Sequence, residues 1–199
     1  MKIFRFLIHN NGHDETLYDD VDVVSIPDTA LLIQKRPFFI PDFSSRCMVQ
    51  LCACIRINRL GRSIHAQFAN RYYDADNMTI SAHFVARDLL AQMQNEARPW
   101  DLALGFDDSV VVPEKAIHTP NNITDATLCI NQQTFSTTFN KQQLAQVFDK
   151  QVARISEFYT MRQGDLLLLP LPIEEVQVHI DDFITLQLNN SDVVSFYVK

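Results

Sequence analysis

An α+β domain, predominantly β with two main helices, is what the 199-residue sequence predicts, on three observations. Short apolar runs bounded by Pro, Asn and Asp recur along the chain, and only two segments carry a helical stripe. After the second stripe, apolar runs follow one another at strand spacing.

Taken in order, "KIFRFLIH" (2–9) reads as a buried strand and "DVVSIP" (22–27) as a strand stopped by Pro27. "RPFFIPDF" (36–43) is extended, bracketed by Pro37 and Pro41. "RCMVQLCACIRINRLGR" (46–62) is a strand running into a turn, and its period of two puts Gln50, Cys52 and Cys54 on one face. "TISAHFVARDL" (79–89) joins a strand to a helix over about 85–97, with Val85, Leu89, Met93 and Ala97 at i, i+4 spacing before Pro99. His83 is expected at that junction. Asn140 can cap a helix over 141–159, whose stripe is Leu144, Phe148, Val152 and Ile155. "GDLLLLP", "EEVQVHI", "FITLQL" and "VVSFYVK" supply the closing strands.

Bulk properties limit the functions on offer. The length suits one domain with a substantial core. A net charge of −7 and a pI near 5.2 argue against a nucleic-acid surface, which needs clustered cations. No stretch reaches the roughly 20 apolar residues that cross a bilayer, and "MKIFRFLIHNNGHDE" turns polar too soon for a signal peptide, so no membrane partner and a cytoplasmic location are expected. Four cysteines, two of them alternating on a strand, suggest reduced, packed thiols.

"VARDL" (85–89), "PWDLALGFDDS" (99–109), "INQQTFSTTF" (130–139) and "MRQGDLLLLPLP" (161–172) occur in an order that resembles the fumarylacetoacetate hydrolase family. "KRPFFIPDF", "RLGRSI" and "VVSFYVK" extend the resemblance over nearly the whole chain. It implies a mixed β-sandwich roll, with N-terminal strands and a lid-like segment in 1–45 and the roll core in 46–199. Such enzymes cleave, decarboxylate or isomerise short keto acids with magnesium or manganese held by three carboxylates, because hard cations prefer anionic oxygen.

Laid on this sequence, the family's Glu-x-Glu falls on Gln50 and Cys52, and its third carboxylate on His83. The formal charge of that set moves from about −3 to about 0. Leu104 stands where a substrate-facing lysine is expected, and Leu169, Pro170, Leu171 and Pro172 replace a Thr-Gly-Thr-Pro loop; Pro170 also lacks an amide donor. The acid–base dyad of the lid falls on His13 and Glu15, only two residues apart.

The plainer readings make Cys52 and Cys54 core filling, His83 a hydrogen-bonded histidine, and the cleft-lining pair Arg87 and Asp88 a structural ion pair. Gly105, Phe106, Asp107, Gly164 and Asp165 are read as fold-supporting in the same way. No Gly-x-Ser-x-Gly elbow, phosphate loop or His-Glu-x-x-His is present. The expectation is a non-catalytic homologue without a cofactor, a homodimer that binds a small molecule or partners an active paralogue. The alternative is an active keto-acid hydrolase or isomerase, using a softer metal such as zinc on Cys52 and His83 or metal-free chemistry by His83.

Overall fold

The computed structural model describes residues 1–8, 18, 21–33, 36–114 and 121–199. Its strands, in chain order, are β1 (Ile3–Ile8), β2 (Val21–Ile26), β3 (Cys47–Arg56), β4 (Thr79–Ala86), β5 (Val110–Val111), β6 (Ile123–Ile130), β7 (Gln133–Asn140), β8 (Leu166–Pro170), β9 (Val176–Gln177), β10 (Phe183–Leu188) and β11 (Ser191–Tyr197). Its helices are α1 (Arg87–Asn95), α2 (Asp101–Leu104) and α3 (Lys141–Phe158). The predicted strand-rich α+β class is the observed one.

Two sheets share the main core. The larger runs β2-β1-β8-β3-β4-β5, with β9 beside β3; the smaller runs β11-β10-β6-β7. β1 and β8 are parallel neighbours, whereas the hairpins of the smaller sheet are antiparallel. Asn131 (φ 54°) turns β6 into β7, and Asn189 (φ 48°) with Asn190 (φ 62°) turns β10 into β11; asparagine tolerates the left-handed conformation that such tight turns need.

Strict alternation divides the larger sheet into two faces. Phe4 and Phe6 of β1, Val49, Leu51, Ala53 and Ile55 of β3, and Ile80, Ala82 and Phe84 of β4 enter the core between the sheets, with Leu167 and Leu169 of β8. α3 closes that core as predicted: the Asn140 side chain accepts from the Gln143 amide at 3.1 Å, and Leu144, Phe148, Val152 and Ile155 are buried. Phe38, between the two prolines, stacks on Phe84 with ring centroids 3.6 Å apart.

The first helix is shorter than its predicted span of 85–97. Val85 pairs with Met48 in the β3–β4 ladder, and the Arg87 amide donates to the Arg46 carbonyl, so sheet pairing holds the chain extended until Arg87. At the other end Ala97 turns left-handed (φ 50°) and the Arg98 amide donates back to Met93, a helix stop placed two residues before Pro99. His83 therefore lies inside β4, not at a strand–helix junction. "EEVQVHI" likewise forms strand only at Val176–Gln177.

The end of β1 is clamped to β8 by a buried carboxylate. Asp165 accepts from the Lys2 and Arg162 amides, both at 2.8 Å, and its other contact is the Lys2 ammonium at 2.7 Å. Gly164 (φ 95°) makes the turn that aims it. Gly105 is required for space, since a Cβ there would lie 2.7 Å from Ile26. Among the described residues no helix is long and apolar enough to cross a membrane.

Candidate functional site

The face of the larger sheet turned away from the main core gathers the residues that alternation leaves over. These are Arg5 of β1, Gln50, Cys52 and Cys54 of β3, and Thr79, Ser81 and His83 of β4. Gln50 pairs with His83 across the β3–β4 ladder, and Cys52 with Ser81, so the three positions where the resemblance sets metal ligands do stand together. Cys52 and Cys54 pack with Ile3, Ile26, Leu166 and Leu168, in keeping with core thiols.

Arg5 is the residue that organises this cluster. Its ladder to β8 is parallel (Arg5 opposite Leu168), and its side chain, 5% exposed, extends to β3 and β4. Nε donates to His83 Nδ1 at 2.9 Å, Nη2 to the Gln50 side-chain oxygen, and Nη1 to the Phe6 carbonyl. On the other side of its ring, His83 Nε2 lies 2.6 Å from the Leu104 carbonyl. Arg5 can only donate, so Nδ1 must accept and the proton must sit on Nε2: His83 is neutral, with both ring nitrogens engaged.

Electrostatics agree with that assignment. Burial, reinforced by the Arg5 charge, pushes the His83 pKa down to about 3. The Cys52 thiol is pushed up to about 11 by burial, against the pull of Arg5, and so stays protonated near neutral pH. Burial also lowers the Arg5 pKa, but a guanidinium starts so high that it keeps its charge.

The remaining predicted positions separate from this cluster. Arg87 and Asp88 do not pair with each other. Arg87 grips Glu175 with both ends of its fork (Nε to Oε2 2.5 Å), whereas Asp88 accepts from Ser44 Oγ at 2.6 Å, the Ser45 amide at 2.7 Å and Ser45 Oγ at 2.8 Å. Desolvation would raise the Asp88 pKa, yet these bonds together hold it below the usual carboxylate range. Successive residues at the start of a helix point in different directions, so adjacency in sequence did not make them partners. Leu104 buries its side chain with Val85, Leu90, Met93 and Ala103, and only its carbonyl meets His83. Leu169 and Pro170 end β8 instead of forming a loop, and Leu169 and Leu171 enter the main core. Pro170 accepts from the Tyr18 hydroxyl at 3.3 Å. His13 and Glu15 lie outside the described residues.

Magnesium or manganese does not fit these side chains. The available donors are an amide oxygen, a protonated thiol and an imidazole whose acceptor nitrogen already holds Arg5. No group of three His, Cys, Asp or Glu side chains among the described residues could hold a metal ion. A hard divalent cation would have to displace a fixed positive charge without gaining a single carboxylate.

No family model and no curated protein matches the sequence. Solved structures do match its fold. A protein from Yersinia pestis assigned to the fumarylacetoacetate hydrolase family superposes with a TM-score of 0.78 at 20% identity, over 100% of this chain and 92% of that one. Fumarylpyruvate hydrolase from Pseudomonas aeruginosa, in complex with Mn²⁺ and pyruvate, gives 0.79 at 15% identity, over 100% and 89%. The 2-hydroxyhepta-2,4-diene-1,7-dioate isomerase of Mycobacterium marinum gives 0.77 at 18%, over 99% and 73%. The chain thus has the fold of the fumarylacetoacetate hydrolase family.

Proposed function

We propose that this fold, in this chain, serves a binding or partner role and has given up the metal-dependent hydrolase, decarboxylase or isomerase chemistry that its structural neighbours are named for. The observation that carries the reading is the Arg5 guanidinium, hydrogen-bonded to Gln50 and His83 where the resemblance calls for a divalent ion. A fixed cation among neutral side chains supplies no open coordination position to polarise a keto oxygen. The alternative, zinc or acid–base chemistry at Cys52 and His83, is opposed by the same contacts. The thiol is protonated and the imidazole has neither a free lone pair nor a pKa near neutrality.

Calorimetric titration with magnesium and manganese is expected to show no saturable heat in the sub-millimolar range. Acylpyruvates and oxaloacetate are expected to turn over at background rate, with or without added metal. Metal-dependent turnover that survives repurification and is abolished by His83→Ala would replace this reading with the alternative.

The same reading has two copies pairing through the smaller sheet and α3, where Ile123, Phe183, Tyr197 and Phe158 are exposed. A single species near 23 kDa in sedimentation at micromolar concentration would remove that part of it.

A further inference from the structure

The larger sheet extends well past the Arg5 cluster. Four rungs along the β3–β4 ladder from Gln50 and His83, roughly 13 Å down the strands, Cys54 pairs with Thr79. There the sheet borders a cavity of about 190 Å³, room for on the order of six waters, and neither Arg5, Gln50 nor His83 lines it. Val112, Pro113 and Leu166 give it aliphatic walls. No aromatic ring among the described residues lines it, so a nucleobase would find nothing to stack on. Thr79, 8% exposed, also lines the cavity, and its buried hydroxyl has no hydrogen-bond partner among the described residues. Such a group is costly until something that enters the cavity bonds to it.

Two opposite charges complete the lining. Arg56, two residues after Cys54 on the same face of β3, and Asp74, just before β4, both line the cavity. They form no ion pair with each other, and neither forms one with any other described residue. Asp74 is nevertheless fixed in place. Its Oδ1 accepts from the Asp76 amide at 3.0 Å and its Oδ2 from Asn77 Nδ2 at 2.7 Å, and each oxygen keeps a second lone pair. A guanidinium and a carboxylate that share a small cavity without meeting suit a guest that carries both charges itself. Its carboxylate would engage the Arg56 fork bidentately, and its ammonium would donate to Asp74 and to the orphaned Thr79 hydroxyl.

We infer that this cavity is a binding site for the zwitterion of a small aliphatic amino acid, held by Arg56 at one end and by Asp74 and Thr79 at the other. Its hydrocarbon part lies against Val112, Pro113 and Leu166. The cavity shares no residue with the Arg5, Gln50 and His83 cluster, so the inference goes beyond the proposed function and stands whatever that cluster does.

The test uses the full chain in excess EDTA, titrated calorimetrically with L-valine and with 4-aminobutyrate, which carry the same two charges at different separations. Isovalerate, which lacks the ammonium, and isobutylamine, which lacks the carboxylate, serve as controls at matched ionic strength. Saturable binding of at least one zwitterion, at least tenfold tighter than either control, is expected. Arg56→Gln and Asp74→Asn should each weaken it at least tenfold. Both replace side chains at the protein surface, so the melting temperature of the free protein should not change. Thr79→Val keeps the shape and removes only the orphaned hydroxyl, so it should weaken binding while leaving the melting temperature of the free protein unchanged or higher. Zwitterion heats no different from those of the controls, or binding unaltered in any of the three variants, would overturn the inference. Because EDTA excludes metal, such a failure is separable from metal-dependent turnover, which would overturn the proposed function instead.

Discussion

The two faces of the seven-stranded sheet obey the same alternation but are stabilised by different means. Toward the smaller sheet and α3 the side chains are hydrocarbon throughout, from Phe4 and Leu51 to Phe84 and Leu169, and what matters is volume. On the reverse face, where Gln50 is only half-buried, Arg5, Gln50 and His83 are held by donor–acceptor matching, and beside them the hydroxyls of Thr79, Ser81 and Ser109 have no hydrogen-bond partner among the described residues. A face built for stability alone has no reason to bury unpartnered hydroxyls and a cation that no described carboxylate contacts. Polar residues retained at that expense make the reverse face the place where the proposed binding role is to be tested.

Substitutions can break this contrast. Phe148→Ala, which removes the buried α3 ring that packs on Phe6 of the hydrocarbon face, is expected to lower the unfolding free energy by about 3–5 kcal/mol in denaturant titration. Arg5→Met preserves most of the volume of its side chain, so a purely steric face would tolerate it. Orphaning the acceptors on His83, Gln50 and Phe6 predicts instead a loss of about 2–4 kcal/mol. If Arg5→Met costs under about 0.5 kcal/mol, hydrogen-bond matching does not govern the reverse face.

Acid sharpens the distinction. His83 has a folded pKa of about 3, below its ordinary value of 6.5, so the unfolded chain binds the extra proton. Its contribution to stability is complete above pH 6.5 and is lost as pH falls toward 3. Between pH 6.5 and 5 the native protein should lose about 2 kcal/mol from this group, and the slope should flatten in His83→Gln. The smallest effect has the opposite sign. Ser81→Ala removes a buried hydroxyl without a partner and should leave stability unchanged or raise it by up to about 1 kcal/mol.

Much of this was legible in the sequence because it is local. Alternation in "CMVQLCACI" assigned Gln50, Cys52 and Cys54 to one face, and Asn140 with its stripe located α3 to within a residue. The start of α1 is not legible locally because Val85 satisfies a helical spacing and a strand ladder equally well, and only the distant partner Met48 decides between them. Arg5 gave no signal at all. It sits 45 residues from Gln50 and 78 from His83, in a strand that reads as ordinary core, outside the segments where a replacement cation would be sought. Nor could the sequence separate Arg87 from Asp88, whose real partners are Glu175 and the Ser44–Ser45 turn.

The Asp165 clamp on Lys2 joins positions 163 residues apart, and it holds β1 against β8 in parallel. Parallel pairing across such a span requires most of the intervening chain to be ordered first, and loops of that length close late in folding. Until then β1 has only its hairpin with β2, and a two-stranded hairpin alone is marginal in water. The strand bearing Arg5 is therefore expected to be among the last to acquire lasting amide protection during refolding, which pulsed hydrogen exchange would check. On that expectation the guanidinium docks onto a β3–β4 ladder formed before it, and Arg5 completes the sheet instead of nucleating it.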